Sequence, residues 1–135
     1  MSRNFSRRQF VASAVALLVL PRGARAMRFA GPHPTPRPGI TAARVLTSDK
    51  LGGDADLIAV FDGVRAIPQV IDGIRCQCGC ATVDGFYSLL SCYEGDGAMA
   101  KICHICQGEG KLAIRLHKEG KSLDEIRTAI DAKFG

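Results

Sequence analysis

The chain has 135 residues, 47% of them apolar, 23% charged and 6% aromatic, with six Cys and no Trp. That is the composition of one ordinary globular domain, without the apolar excess of a membrane protein or the apolar deficit of a disordered one. The formal charge of +5 suggests a polyanion partner until it is divided along the chain. Residues 1–26 hold five Arg and no acid, while the remainder carries 13 basic and 13 acidic side chains. The excess belongs to the first segment, so no nucleic-acid partner is expected.

Residues 1–10, MSRNFSRRQF, are basic and polar, and residues 11–20, VASAVALLVL, form a mild apolar run. Pro21 and the tripeptide Ala24-Arg25-Ala26 follow, with small residues where a signal peptidase needs them. The apolar run is short of the roughly 20 residues that span a bilayer, so no stable membrane span is expected. Ser6-Arg7-Arg8-Gln9-Phe10-Val11 resembles the twin-arginine consensus, and Arg22 and Arg25 beyond the apolar run fit the same kind of leader. The resemblance implies that the twin-arginine export machinery recognises Arg7 and Arg8, that cleavage follows Ala24 and Ala26, and that the product is periplasmic or otherwise extracytoplasmic. That route carries proteins already folded, often around a metal or cofactor. No Cys precedes Cys76, so no lipid-anchoring Cys is expected at the mature N-terminus.

Residues 27–53 read as a Pro-rich linker. Pro32, Pro34, Pro36 and Pro38 alternate, a spacing that favours extended polyproline geometry, and Gly52-Gly53 closes the segment. His33 among these prolines is expected to be a solvated linker residue. Residues 54–135 form the domain proper, small enough to lean on a disulfide or a metal.

Within it, apolar residues 57, 58, 60 and 61 predict a short helix over Asp54 to Phe61. Pro68 suits the first turn of a second helix that Gly73 ends. Phe86, Leu89, Leu90 and Tyr93 recur at helical spacing and predict a third, carrying Cys92. A fourth is predicted from about Cys103 to Lys118, with Ile105, Leu112 and Leu116 on one face and Gly120 as its stop. Ser122 with Glu125 makes a capping box for the last helix, whose stripe is Leu123, Ile126, Ile130 and Phe134. The expected fold is a small all-α domain with Cys-rich loops between helices, ending in an antiparallel helix hairpin.

All six cysteines fall between 76 and 106: Cys76-Gln77-Cys78-Gly79-Cys80, then Cys92, then Cys103-His104-Ile105-Cys106. The C-x-x-C at a helix start suits a metal knuckle or a redox-active dithiol. In an extended strand, residues two apart lie about 6.6 Å from each other, from a rise of roughly 3.3 Å. A disulfide needs Cβ atoms within about 4.5 Å, so neighbours in an extended C-x-C-x-C run do not bridge. Sulfurs sharing one zinc stand about 4 Å apart, so the run must curl, and Gly79 permits it. A curled, thiol-dense loop facing a C-x-x-C helix start suits a soft metal ion.

Residues 66–134 resemble the PCYCGC-motif family of small exported or lipid-anchored bacterial proteins. The likeness runs through Ala66-Ile67-Pro68, the Cys76–Cys80 run, Ser88-Leu89-Leu90-Ser91-Cys92-Tyr93, Cys103-His104-Ile105-Cys106 and Gly120-Lys121-Ser122-Leu123-Asp124-Glu125-Ile126-Arg127. It departs where the family has Pro and Tyr, since Arg75 and Gln77 stand there, and where Gly85-Phe86 replaces a Gly-His pair. The resemblance implies a Cys constellation and supplies no reaction.

Three readings follow. In the first, Cys76, Cys78, Cys80, Cys92, Cys103 and Cys106 hold Cu(I) or Zn(II) without catalysis, exchanging it with a metal-donor or acceptor protein; four ligands suffice for one tetrahedral ion. In the second, three disulfides staple a structural or interaction domain, each Cys of the 76–80 run pairing with one of 92, 103 and 106. In the third, Cys103 and Cys106 form a thiol–disulfide oxidoreductase pair, although the βαβ setting of thioredoxin-type motifs is missing. His104 stands beside the ligands, but its helical direction turns it away from both neighbouring Cys, which favours a solvated or supporting role. His117 and the basic face of Lys111, Arg115, Lys118 and Lys121 read as solvated surface. No signal for hydrolase or nucleotide chemistry is present.

Overall fold

In a computed structural model that describes residues 31–79 and 85–135, four α-helices carry the chain. They are α1 (Ala55–Ala66), α2 (Pro68–Asp72), α3 (His104–Lys118) and α4 (Leu123–Phe134). Among the described residues there is no sheet, and an isolated antiparallel bridge joins Val45 to Glu94. The domain is all-α, as expected. The leader, with Arg7, Arg8, Ala24 and Ala26, lies outside the described residues.

Each helix end has a local cause. The Asp54 carboxylate accepts the N–H groups of Asp56 and Leu57, both at 3.0 Å, and starts α1. The helix buries Val60, Phe61 and Val64 and runs past Phe61 to Ala66. It breaks at Ile67 (φ −134°, ψ 49°), because a residue before proline is excluded from helical conformation. Pro68 then opens α2 and Gly73 caps it. Ser122 and Glu125 cap α4 reciprocally, Ser122 N–H to Glu125 Oε2 at 2.8 Å and Glu125 N–H to Ser122 Oγ at 3.2 Å. Gly120, at φ +80°, closes α3 and turns the chain into α4. The two helices are antiparallel, since Gly108 near the start of α3 packs against the Phe134 ring at the end of α4.

Two expectations about elements are corrected. The third predicted helix is a 3-10 turn, Leu89–Tyr93, burying Leu89, Leu90, Cys92 and Tyr93. Its ends are pinned from outside: Leu89 N–H bonds Ile74 C=O at 2.8 Å, and Tyr93 C=O accepts Leu46 N–H at 3.2 Å. With both ends held, the short span winds tightly, and its side chains point into the core. The buried face of α3 carries Cys106, Glu109, Gly110, Leu112 and Ala113, whereas Ile105 is 40% exposed. Helix α3 is therefore rotated from the face that Ile105 suggests, because Cys106 and Glu109 take the interior.

The described part of the Pro-rich segment is not a loose tether. Val45, Leu46 and Leu51 belong to the core, so the packed unit begins ahead of Asp54. Alternating prolines leave extended carbonyls that lack partners of their own, and donors from the helical body fill them. Arg75 Nε bonds Pro32 C=O at 3.0 Å, Arg127 bonds Pro34 C=O at 2.8 Å, and Tyr87 Oη bonds Thr35 C=O at 2.5 Å. His33 is not a solvated linker residue either. Its Nδ1 accepts Arg75 N–H at 3.0 Å, and its Nε2 stands 3.1 Å from both oxygens of Asp131.

The fixed point of this arm is Asp72, a fully buried carboxylate at the end of α2. It accepts Arg37 backbone N–H and guanidinium at 2.8 Å each and Ser88 Oγ–H at 2.7 Å. Burial pushes its pKa up, but the Arg37 side chain, the Arg37 N–H and the Ser88 hydroxyl outweigh it and hold the carboxyl below its usual range. A depressed folded value means stability is complete above the unfolded carboxylate range, near pH 4, and is lost as pH falls through the folded value. Arg37→Ala is expected to cost about 3 kcal/mol at pH 7 by stranding that buried charge. In urea unfolding the difference from wild type should narrow as pH drops below about 4.

Helix α3 meets the 3-10 turn at Gly110. A methyl group there would run into the Tyr93 phenol, and Val60 of α1 closes the other side. Tyr93 packs edge-on against Phe61, centroids 4.8 Å apart. Gly110→Ala is expected to destabilise the fold by about 1–3 kcal/mol despite its gain in helix propensity, read from the denaturation midpoint.

Candidate metal centre

Three separate stretches of chain bring sulfur to one place. Ile74 N–H bonds Ile71 C=O behind α2 and Leu89 N–H bonds Ile74 C=O, which directs the segment leading to Cys76 across the core. Cys78 follows two residues on, and Gly79, at φ +90°, takes the left-handed conformation that curls the run. The 3-10 turn contributes Cys92, and the first turn of α3 contributes Cys106.

The sulfurs of Cys76, Cys78, Cys92 and Cys106 all lie within 4.8 Å of one another. Cys76 and Cys78 are 3.1 Å apart, Cys76 and Cys106 3.4 Å, and Cys78 and Cys106 3.5 Å. These separations are well beyond the roughly 2.05 Å of a disulfide bond. Four sulfurs around one tetrahedral ion, at bonds of about 2.3 Å, would stand about 3.8 Å apart. The donor set therefore fits a metal ion. Cys76, Cys92 and Cys106 are buried and Cys78 is half-buried.

The cluster favours negative charge at one sulfur. Hydrogen bonds from the Cys106 and Cys92 thiols hold Cys76 far below the ordinary thiol range, against the effect of burial, with the Cys78 thiol and N–H adding to them. Cys106 moves the opposite way, through its hydrogen bonds to Cys76 and Cys92 and its own burial. A shared thiolate of this kind is already prepared for a cation.

Glu109 lies beside the sulfurs, one turn after Cys106, and is fully buried. Its Oε1 accepts Gln77 N–H at 2.8 Å, while Oε2 has no hydrogen-bond partner among the described residues. Burial, then the charge of Cys76 beside it, push Glu109 up to about 10, with the Gln77 N–H pulling against them. Its carboxyl is neutral at pH 7 and adds no charge to the thiolates. On the far side, Tyr93 Oη donates to Cys106 C=O at 2.6 Å, and burial raises the phenol's pKa.

The other candidates sit differently. Cys103 caps α3, where its sulfur accepts Cys106 N–H at 3.4 Å, and it is outside the four-sulfur group. Cys80 lies outside the described residues. His104, His117, Lys111, Arg115, Lys118 and Lys121 are exposed. Sequence reasoning missed Glu109, although an acid three residues after Cys106, flanked by two glycines, shares its helix face. It also missed Tyr93 as a support for Cys106.

No family model, curated protein or solved structure matches this chain. Among the described residues no helix is long and apolar enough to cross a membrane.

Tyr93→Phe keeps the packing against Phe61 and removes only the hydrogen bond to Cys106 C=O. It should cost about 1–2 kcal/mol in equilibrium unfolding of the reduced protein, where a change near zero would mean the phenol contributes packing alone.

Proposed function

We propose that this chain is a non-enzymatic thiolate metal-binding protein that handles Zn(II) or Cu(I) outside the cytoplasm. The observation that carries the reading is the convergence of the Cys76, Cys78, Cys92 and Cys106 sulfurs within 4.8 Å, from three stretches of chain. Soft thiolates select these ions over calcium or magnesium. Four protein sulfurs complete a tetrahedral ion and leave no open position for a substrate, which supports holding rather than catalysis. Export by the twin-arginine route fits the Ser6–Val11 pattern and a cargo that folds around its metal first, and the spacing of the cysteines fits a PCYCGC-type domain. A protein that donates or accepts the metal is the partner this role requires.

Native mass spectrometry of the mature protein, set against its denatured mass, tests the reading. One bound metal ion with reduced cysteines is the expected result. Cys106→Ser should lose the ion, and Cys103→Ser should keep it. A metal-free protein lighter by about six hydrogens, from three disulfides, would overturn the proposal in favour of a stapled domain.

A further inference from the structure

We propose that Glu109 is a positioning residue for the metal centre, setting the conformation of the Cys76–Cys78 turn through the backbone of Gln77. The inference rests on the metal reading above for its purpose, though its geometry stands alone. Two sulfurs two residues apart converge only if the peptide between them turns, and that turn points the Gln77 N–H inward. An inward N–H needs an acceptor, and none is available from helix or sheet in this stretch. Glu109 Oε1 supplies it at 2.8 Å. Because Glu109 and Cys106 share one face of α3, the same helix delivers one ligand and holds the turn that delivers two others.

Gln77 is gripped from a second direction. Its Nε2 donates to Asp131 Oδ1 of α4 at 2.8 Å, and the same carboxylate faces His33 of the N-terminal arm. The turn is thus fastened by backbone to α3 and by side chain to α4. A leucine at 109 would leave the inward Gln77 N–H without its acceptor, so the carboxyl has a role that an apolar side chain does not fill. Holding the ligand turn is a reason to keep it there.

Cobalt(II) serves as the probe, because its visible and thiolate charge-transfer bands report tetrahedral sulfur coordination. Full-chain Glu109→Leu and Glu109→Gln are compared with wild type by cobalt titration against a chelator, and by amide exchange at Gln77 in the metal-free protein. Glu109→Leu should bind cobalt about 10- to 100-fold more weakly, with altered bands and a fast-exchanging Gln77 amide. Glu109→Gln, which retains an acceptor oxygen, should recover most of the affinity, the band shape and the amide protection. Wild-type bands and affinity in Glu109→Leu would overturn the proposal. So would a Glu109→Gln variant as impaired as Glu109→Leu, and this second comparison decides the matter if the Leu variant fails to fold. A wild type that protects the Gln77 amide through Glu109 but shows no cobalt bands would sink the metal reading and leave the turn-holding role in place.

Discussion

Four sulfurs from three stretches of chain must meet at one buried point, and the rest of the structure is arranged to hold them there. Thiols do not attract one another strongly enough to fix such a cluster. The separation of 3.1–3.5 Å among Cys76, Cys78 and Cys106 is maintained by contacts a short distance away. Each stretch has its own fastening: Gln77 to Glu109 and Asp131, the 3-10 turn to Ile74 and Leu46, Cys106 to Tyr93.

The same logic explains the N-terminal arm. A segment with four alternating prolines cannot enter a helix or a sheet interior, yet it contributes to the core through Val45, Leu46 and Leu51. Arg37 reaches Asp72, which also takes the Ser88 hydroxyl at the head of the Cys92 turn. One buried carboxylate thereby joins the arm, the end of α2 and the turn that carries Cys92. His33 and Asp131 make a second junction, next to Arg75 and Gln77 on the Cys loop. The arm is a strap across the segments that carry Cys76, Cys78 and Cys92.

Much of this was legible in the sequence. Helix termini are set by residues within a few positions of one another: Asp54, Pro68, Gly73, Gly120 and the Ser122–Glu125 pair act locally, and each lies where the structure ends or begins a helix. The cysteine spacing likewise announces a thiol cluster, and strand geometry set against the spacing of sulfurs around one ion requires the 76–80 run to curl. The conformation of the Cys92 segment was not legible, because contacts with Ile74 and Leu46, distant in the chain, wind it into a 3-10 turn. Nor was the docking of the Pro-rich arm, whose Pro32, Thr35 and Pro34 carbonyls meet Arg75, Tyr87 and Arg127, 43, 52 and 93 residues away.

By itself the sequence determined a small helical domain, the capped and proline- or glycine-marked ends of its helices, and a concentration of thiols too dense and too regular for chance. These rest on local propensity, capping and spacing, which act over a turn or two. Only the tertiary structure decided which sulfurs meet, that Cys103 serves as a helix cap outside the four-sulfur group, and that Glu109 faces inward beside them. The reason is rotational: the packing of Gly110 against Tyr93 sets the orientation of α3 about its axis. A helix sequence records which residues share a face, and packing against the rest of the chain chooses the face that turns to the core.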